Sequence, residues 1–205
     1  MSSAFEELFG IADAFAHIPM SGRTDAWLLG RALQQQSIPH DDPRVARYQD
    51  VYVRHLVREI DRPPPSGNRK GVLPGIRALL DALTCRPACV GLLTGNYEPA
   101  ARVKLEHFRL WHYFGGGAFG DSPDRNALLS RAIARVARCG GPTVAPGECV
   151  IIGDTPLDVA VAKAGGARSV AVATGSHRVA ELRAAGADLV FEDLADTASV
   201  LAAIG

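Results

Sequence analysis

The spacing of apolar residues in the first third of the chain predicts helices and no strand. Apolar side chains recur three and four positions apart in residues 2–10, 23–36 and 41–60, which is the period of an amphipathic helix. Gly10 is placed to end the first helix, and the third segment starts with two acids and a proline, as helices often do. Residues 61–70 contain three consecutive prolines followed by Ser-Gly-Asn. Because this sequence cannot continue a helix, we place a domain boundary there.

From residue 71 the pattern changes to short, uninterrupted apolar runs that alternate with helical segments. The predicted strands cover 88–95, 117–120, 148–154, 168–175 and 188–192, and the predicted helices cover 74–83, 97–108, 123–139, 156–166, 177–186 and 194–204. This alternation predicts an α/β fold with a parallel sheet that helices cover on both faces. Such sheets bind ligands just beyond the carboxyl ends of their strands, which points to residues 94–96 and 153–155.

Composition excludes several classes of function and leaves the α/β prediction unchanged. The 205 residues are 47% hydrophobic and carry 22 basic and 22 acidic side chains, so the formal net charge is zero. Balanced charge gives no reason to expect a nucleic acid or an anionic membrane as partner. No apolar run approaches the roughly 20 residues of a transmembrane helix. The cysteines form no CxxC pair and residues 1–11 lack the features of a secretory signal, so we expect a cytoplasmic protein with reduced cysteines.

Two carboxylates follow the predicted strand at 148–154, one at its end and one on the first turn of the next helix. Asp158 has a structural interpretation, because Thr155 as N-cap and Pro156 as first helical residue would place it in a capping box. Asp154 has no such role at the tip of an apolar strand. Two hard oxygen ligands here would suit Mg²⁺, which takes one or two protein carboxylates and completes its shell with water and phosphate.

A second candidate group follows the predicted strand at 88–95. Thr94, Gly95 and Asn96 precede a helix. Thr94 or Asn96 could simply cap that helix, or the hydroxyl and the backbone N–H groups could bind an anion. Lys104 lies within the apolar stripe of the same helix, which is formed by Tyr97, Ala101 and Phe108. An unpaired buried ammonium is costly, so we expect a carboxylate or a phosphate beside Lys104 rather than a solvated side chain.

These segments together resemble a known family. "LLTGN" at 92–96, Lys104 and "IIGDTPLDVA" at 151–160 are similar, in order and spacing, to the second, third and fourth motifs of the haloacid dehalogenase-like (HAD) hydrolases. The resemblance is closest to the phosphoglycolate phosphatase-like branch with a helical cap, and it extends over nearly the whole chain. Three further segments resemble that branch: "SGRTD" at 21–25, "LPGIRALLDAL" at 73–83 and "FGGGAFGDSPDR" at 114–125.

The resemblance implies a HAD-like Rossmannoid parallel sheet in residues 67–205 and a small all-helical cap domain in residues 1–66. It also implies Mg²⁺-dependent hydrolysis of a small phosphorylated metabolite, a phosphomonoester, through an aspartyl-phosphate. Asp154 would bind Mg²⁺ directly, and Asp158 would hold a metal-bound water or orient the lysine.

The same resemblance assigns the residues that would contact the substrate. Thr94 and the backbone of Gly95 and Asn96 would hold the phosphoryl group. Lys104 would neutralise the nucleophile and the phosphate. Arg23 of the cap would reach towards the substrate, although solvation also explains an arginine in the first turn of a surface helix.

The first motif of that family, an apolar strand that runs into Asp-x-Asp-Gly-Thr, does not occur in the 205 residues. In the family its first aspartate is the nucleophile and its second is the general acid/base. Either Met1 is an internal methionine of a longer enzyme, about 20–25 residues of which precede it, or the chain is a non-catalytic relative that binds a phosphorylated ligand or a protein partner. We favour the first explanation, because the predicted metal and phosphate residues are all present.

The absent motif also has a consequence for folding. In the family its strand is central, between the strands that end here at Leu93 and Gly153. Two apolar strand edges would then lack partners, which is an aggregation hazard. We therefore expect the 205-residue chain to be poorly soluble or inactive as a phosphatase.

Other classes of function fit the sequence less well. Residues 115–120 match the GxGxxG pattern of dinucleotide-binding proteins, but they follow a helix instead of a strand. The chain has no GxxxxGK[ST] and no GxSxG motif, and its six histidines show no metal-binding spacing. Within the family that the chain resembles, dehalogenation and phosphonate cleavage stay open, because cap residues select the substrate.

Overall fold

The structure, a computed structural model, describes residues 1–63 and 71–205. The chain divides into two compact units, and each is described by itself. Unit 1 comprises Met1–Lys70, Thr94–Trp111 and Phe119–Asp124, and unit 2 comprises Gly71–Leu93, His112–Ala118 and Arg125–Gly205. The predicted boundary between residues 66 and 67 lies outside the described residues, so the division into a cap at 1–66 and a core at 67–205 stays a prediction.

Helices and strands follow one another along the described residues in the predicted order. The helices are α1 (Ser2–Phe9), α2 (Asp25–Gln35), α3 (Tyr48–Glu59), α4 (Ile76–Thr84), α5 (Glu98–His107), α6 (Leu128–Arg138), α7 (Pro156–Gly165), α8 (Val179–Ala184) and α9 (Thr197–Ile204), and the strands are β1 (Leu92–Leu93), β2 (Gly117–Ala118), β3 (Val150–Gly153), β4 (Arg168–Val172) and β5 (Leu189–Phe191). The α/β alternation from residue 71 is confirmed. None of the described helices combines the length and the apolar character needed to cross a bilayer.

Local interactions explain where two of the unit 1 helices begin and end. Gly10 ends α1 in the left-handed conformation, with a φ of 72° that favours glycine, as predicted. The third helix begins at Tyr48, later than its two acids and proline predict. The Asp42 carboxylate accepts hydrogen bonds from the backbone and the guanidinium of Arg44, and a 3₁₀ turn at Val45–Arg47 follows. The acidic start therefore forms a turn before the helix.

Aromatic side chains form the centre of the unit 1 core. Phe5 packs edge-to-face on Phe15 and on Tyr48, with ring centroids 5.7 and 6.3 Å apart, an arrangement that aromatic quadrupoles favour. Tyr52 stacks on Tyr48 at 6.3 Å and meets the ring of Tyr97 at 6.5 Å. The aromatic core of unit 1 thus extends to the N-terminal end of α5, the helix that carries the predicted lysine.

Unit 2 contains two parallel sheets. β1 pairs with β2, and β3, β4 and β5 form a three-stranded sheet in that order. All three strand pairs are parallel, as the alternation with helices predicts. α7 connects β3 to β4 and packs against both strands, and it buries Val159 and Val161 in doing so. This packing fixes the start of α7 at the carboxyl end of β3.

Within the described part of unit 2, β1 and β3 each pair with one strand only. β1 retains two residues of the predicted strand at 88–95, and both are only half-buried. Ile152 of β3 keeps 36% of its surface exposed, whereas strands of a fully covered parallel sheet are buried on both faces. These are the two edges for which the sequence predicts a missing partner. That a strand with the nucleophile would pair with them stays a prediction.

Candidate functional site

The loop at residues 94–96 leads into α5 in unit 1. The hydroxyl of Thr94 accepts a hydrogen bond from the N–H of Asn96 at 3.2 Å. The N-cap of α5 is Tyr97, which makes no side-chain capping bond. Neither Thr94 nor Asn96 therefore occupies the capping position, and the capping explanation of this sequence is not supported.

Lys104 is held beside this loop. Its Nζ donates a hydrogen bond to Asn96 Oδ1 at 2.9 Å. The apolar stripe predicted for α5 is buried at Tyr97 and Ala101. Burial lowers the pKa of Lys104 below its ordinary value, while the negative charge of Asp25 raises it. A partly desolvated ammonium whose hydrogen-bond acceptor is a neutral amide remains attractive to an anion.

The first residue of α2, Asp25, completes this group although the sequence analysis does not predict it. Asp25 is 2% exposed. Its carboxylate accepts the N–H of Tyr97 at 2.8 Å and the side-chain amide of Asn96 at 3.4 Å. Burial raises the pKa of Asp25, and the bond from Tyr97, the charge of Lys104 and the bond from Asn96 oppose that rise. The carboxylate expected near Lys104 is therefore Asp25, joined to it through the Asn96 amide.

Close backbone packing holds the loop in place. The N–H of Gly120 donates to Asn96 O at 2.7 Å, and the N–H of Ala26 donates to Gly120 O at 3.0 Å. A Cβ on Gly120 would lie 1.7 Å from Gly95 O, so a larger residue does not fit there. One glycine of the GxGxxG match at 115–120 thus has a packing role beside the loop.

In unit 2 the predicted acid Asp158 lies on the first turn of α7. Its carboxylate accepts the N–H and the hydroxyl of Thr155 at 3.0 and 2.8 Å, and its own N–H donates to the Thr155 hydroxyl at 3.3 Å. This is the capping box of the structural interpretation, with Pro156 in the first helical turn. The other carboxylate oxygen, Oδ1, lies 2.5 Å from Nη2 of Arg125. Protein groups therefore engage both oxygens of Asp158.

Arg125, which the sequence pattern does not predict, lies beside this acid. The side chains of Arg125 and Asp158 are only 14% and 12% exposed. Nε of Arg125 is buried and has no hydrogen-bond partner among the described residues. Because buried donors are nearly always satisfied, this guanidinium has an unused donor next to the acidic pair.

Asp154 follows the last residue of β3 and lies against the loop after β4. A Cβ on Gly175 would lie 2.1 Å from Asp154 Oδ2, so the glycine makes room for the carboxylate. Asp154 is exposed to solvent, yet desolvation by nearby protein atoms and then the charge of Asp158 raise its pKa. His177 and Arg125 oppose this rise. The ionised carboxylate is thus incompletely compensated, which is the environment that a cation relieves.

The donor chemistry of the two acids fits Mg²⁺. The ion takes one or two protein carboxylates and fills the rest of its octahedron with water and phosphate oxygens. Asp154 is the more available ligand, because Asp158 is already engaged by Thr155 and Arg125. The described residues contain no cluster of three His, Cys, Asp or Glu side chains that could hold a metal. That Asp154 and Asp158 hold Mg²⁺ stays a prediction.

The structure brings the predicted site residues together as two groups. Within unit 1, Thr94, Gly95 and Asn96 form one loop with Lys104 bonded to it. Within unit 2, Asp154 and Asp158 lie close enough for their charges to interact. That the two groups face one another stays a prediction.

The remaining predicted residue, Arg23, precedes α2. Its guanidinium stacks over the ring of Trp27 at 4.4 Å. It lines an open pocket of about 340 Å³ in unit 1 together with His17, Trp27 and Arg31. The predicted contact of Arg23 with a substrate stays a prediction.

Comparisons with known proteins agree with the family resemblance. Residues 125–197 match a family model described as HAD-hydrolase-like. The chain is also 34% identical, over 130 residues, to the phosphoglycolate phosphatase of Rhodospirillum rubrum. The resemblance to HAD-like hydrolases is confirmed. This alignment covers 60% of the chain and 50% of the relative, so the matched part spans about half the length of that protein.

Solved structures show the same fold at low sequence identity. A predicted phosphoglycolate phosphatase from Haemophilus somnus 129PT has a TM-score of 0.67 at 16% identity, over 98% of this chain and 88% of that one. CbbY from Rhodobacter sphaeroides, solved in complex with phosphate, has a TM-score of 0.68 at 18% identity, over 95% and 87%. The HAD-like α/β fold predicted from the sequence is confirmed.

Of the residues that were not predicted, Asp25 and Gly175 carry a signal in the sequence. Asp25 lies three, four and seven positions before apolar residues that α2 buries, namely Leu28, Leu29 and Ala32. Arg125 lies before the first residue of α6, so helical spacing gives no such signal for it. A charged residue in register with a buried stripe is the pattern that singles out Lys104. Gly175 could have been found as a residue just beyond the carboxyl end of β4.

Proposed function

We propose that this chain supplies phosphate-holding and metal-holding residues of a HAD-like phosphatase that acts on a small phosphomonoester. The observation that carries the proposal is the partly buried ammonium of Lys104, bonded to the neutral amide of Asn96 in a loop that also contains Thr94. The relatives support a phosphorylated ligand, since one is named phosphoglycolate phosphatase and one was solved with phosphate.

In this proposal the unit 1 residues bind the phosphoryl group. The hydroxyl of Thr94 and the backbone N–H groups of Gly95 and Asn96 donate hydrogen bonds to its oxygens. Lys104 neutralises its charge, and that contact is charge-assisted and therefore stronger than a neutral one. Arg23 contacts the rest of the substrate. Arg31 is a second cation at this pocket, and its guanidinium also lies over the Trp27 ring, so the two arginines favour an anionic group there.

The unit 2 residues provide the acids for Mg²⁺. Asp154 would hold the ion directly, and Asp158 would contact it through a water. When bound, Mg²⁺ neutralises phosphoryl oxygens and helps to orient the substrate. Arg125 keeps Asp158 in place through the contact at 2.5 Å, while Thr155 holds the other oxygen.

Catalysis requires a nucleophile that these residues do not include. The 205 residues lack Asp-x-Asp-Gly-Thr, so we expect them to bind phosphate without turning over a phosphomonoester. The same absence of the Asp-x-Asp-Gly-Thr motif is the basis of the alternative function. In that alternative the chain is a non-catalytic protein that binds a phosphorylated ligand or a protein partner. Joining the chain to an upstream segment that contains the motif would restore hydrolysis only if the first proposal is right.

The role of Asp154 is tested by replacing it with asparagine. Because the folded-state pKa of Asp154 is raised, the ionised carboxylate destabilises the wild type at pH values above that pKa. Without metal, Asp154→Asn is therefore expected to melt at a higher temperature than the wild type at pH 7. The difference should disappear below the unfolded pKa of about 4. Added Mg²⁺ should raise the melting temperature of the wild type at pH 7 and leave that of Asp154→Asn unchanged.

The matched control is Glu192→Gln, which removes one exposed negative charge from unit 2. This variant should respond to Mg²⁺ like the wild type. If Asp154→Asn gains as much from Mg²⁺ as the control, Asp154 is not the metal-holding carboxylate. If it melts below the wild type at pH 7 without metal, the ionised carboxylate does not destabilise the folded protein.

A further inference from the structure

Asp25 is the only buried acid among the described residues of unit 1. A buried carboxylate is retained only where hydrogen bonds and countercharges compensate its lost hydration. Asp25 is the first residue of α2, where Thr24 already provides the N-cap by accepting the N–H of Trp27 at 3.2 Å. Helix capping therefore does not explain the Asp25 carboxylate.

Asp25 contacts the residues on both sides of Asn96 as well as Asn96 itself. Its backbone N–H donates to Gly95 O at 2.6 Å. Its carboxylate accepts the N–H of Tyr97 at 2.8 Å and the Asn96 side-chain amide at 3.4 Å. Three consecutive residues, 95–97, are thus bonded to one residue of α2.

The Asn96 amide connects Asp25 to Lys104. A carboxylate can only accept hydrogen bonds and an ammonium can only donate them. The amide must therefore turn its NH₂ group to Asp25 and its oxygen to Lys104, where the Oδ1–Nζ distance is 2.9 Å. Asp25 fixes the orientation of this amide, and the amide in turn places the ammonium.

We propose that Asp25 is a positioning residue that holds the loop at 94–96 and, through the Asn96 amide and its own negative charge, keeps the Lys104 ammonium in place for phosphate. This proposal rests on the proposed function of the loop and of Lys104. According to this proposal, α2 supports phosphate binding although Asp25 itself does not contact the ligand.

Other ionisable groups lie around Asp25 and Lys104, and a titration of Lys104 has to be distinguished from theirs. Three tyrosines lie near Asp25, and burial, with the charge of Asp25 as a further cause, raises the pKa of each well above its ordinary value; they are Tyr48, Tyr52 and Tyr97. Burial lowers the pKa of the Met1 amino group, which interacts with both Asp25 and Lys104. The three phenols therefore stay neutral below pH 10, which leaves the Met1 amine and Lys104 as the amines whose titration must be told apart.

A titration that observes Lys104 directly separates these two amines. The chain has three lysines, Lys70, Lys104 and Lys163, so ¹³Cε-labelled lysine gives three NMR signals in the full 205-residue protein. A Lys104→Arg variant assigns the signal of Lys104 by its disappearance. Lys163, which donates to Ala185 O at 2.8 Å in unit 2, serves as an internal reference.

The decisive variant is Asp25→Asn, which keeps the size of the side chain and removes its charge. The titration midpoint of Lys104 is expected to move to lower pH, because Asp25 raises that pKa in the wild type. Calorimetric titration with inorganic phosphate at pH 8 should show roughly tenfold weaker binding, since small misplacements of binding groups cost factors of this size or more. Asn96→Ala should also weaken phosphate binding, because it removes the connecting amide.

Asp196→Asn is the matched control, since Asp196 also bonds a backbone N–H at a helix start, that of Ser199 at 3.1 Å, but belongs to unit 2. It should leave both the Lys104 midpoint and phosphate affinity unchanged.

An unchanged or higher Lys104 midpoint in a folded Asp25→Asn protein overturns the proposal. If the wild type binds no phosphate, the proposed function fails instead, and the Lys104 titration still decides whether Asp25 controls the lysine. A purely structural role would lower stability without moving this midpoint.

Discussion

Replacing Lys104 with methionine is expected to weaken binding of inorganic phosphate by roughly 10- to 100-fold, the loss of one hydrogen bond to a charged group. The side chain lies on the buried stripe of α5 and is bonded to Asn96 at 2.9 Å, so its charge is less screened by water than that of a surface lysine. Methionine fills a similar volume and keeps the apolar stem, so the change removes mainly the charge. Isothermal titration calorimetry at pH 7.5 measures the effect.

Two further variants separate this role from general electrostatics. Arg102 lies on the same helix and forms an exposed ion pair with Glu106 at 2.7 Å, so Arg102→Met removes a nearby cation without touching the loop. Phosphate affinity should fall less than about twofold in this variant. Lys104→Arg keeps the charge and should bind more tightly than Lys104→Met. Equal losses in Lys104→Met and Arg102→Met would show that phosphate is attracted by the surface as a whole.

The second large effect concerns Arg125. Removing one member of a buried ion pair leaves the other charge uncompensated, which typically costs 3–5 kcal/mol. Arg125 and Asp158 are 14% and 12% exposed and lie 2.5 Å apart, and Thr155 keeps its bonds to Asp158. We therefore expect Arg125→Met to lower the free energy of unfolding by about 3 kcal/mol. Urea-induced unfolding at pH 7, followed by circular dichroism, measures this loss.

The matched control and a double variant make this prediction specific. Arg86 is an exposed arginine of unit 2, and Arg86→Met should change the free energy of unfolding by less than about 0.5 kcal/mol. Adding Asp158→Asn to Arg125→Met should recover part of the loss, because no buried charge then lacks a partner. If Arg125→Met costs no more than Arg86→Met, the pair does not hold Asp158 in the folded protein.

The order of elements could be predicted from the sequence because it depends on local patterns. The spacing of apolar residues in α1 and α2 and the uninterrupted runs at β3 and β4 are visible in single segments. Strand length depends on hydrogen-bond partners from elsewhere in the chain. The apolar run at 88–95 thus retains only Leu92–Leu93 as strand, where β2 supplies a partner.

A residue of the candidate site could be predicted where its position in a single predicted helix or strand already indicates its role. Lys104 was found because a cation on an apolar stripe requires an explanation, and Asp154 because an acid ends an apolar strand. Asp25 was missed because its role depends on Asn96 and Tyr97, 71 and 72 positions away in sequence. The same applies to Arg125, which meets Asp158 from 33 positions away. Such pairs are set by tertiary packing, which a single sequence does not display.

The central claim is that these residues bind the phosphoryl group of a HAD-like phosphatase while the nucleophile is absent from the 205-residue chain. The most direct measurement uses ³¹P NMR on one protein sample with Mg²⁺. Inorganic phosphate is added first to measure binding, and p-nitrophenyl phosphate is added next to measure hydrolysis. We predict saturable phosphate binding that Lys104→Met weakens by roughly 10- to 100-fold, and no release of p-nitrophenol above the rate without protein. Robust Mg²⁺-dependent turnover, or the absence of any phosphate binding to the wild type, would contradict the account.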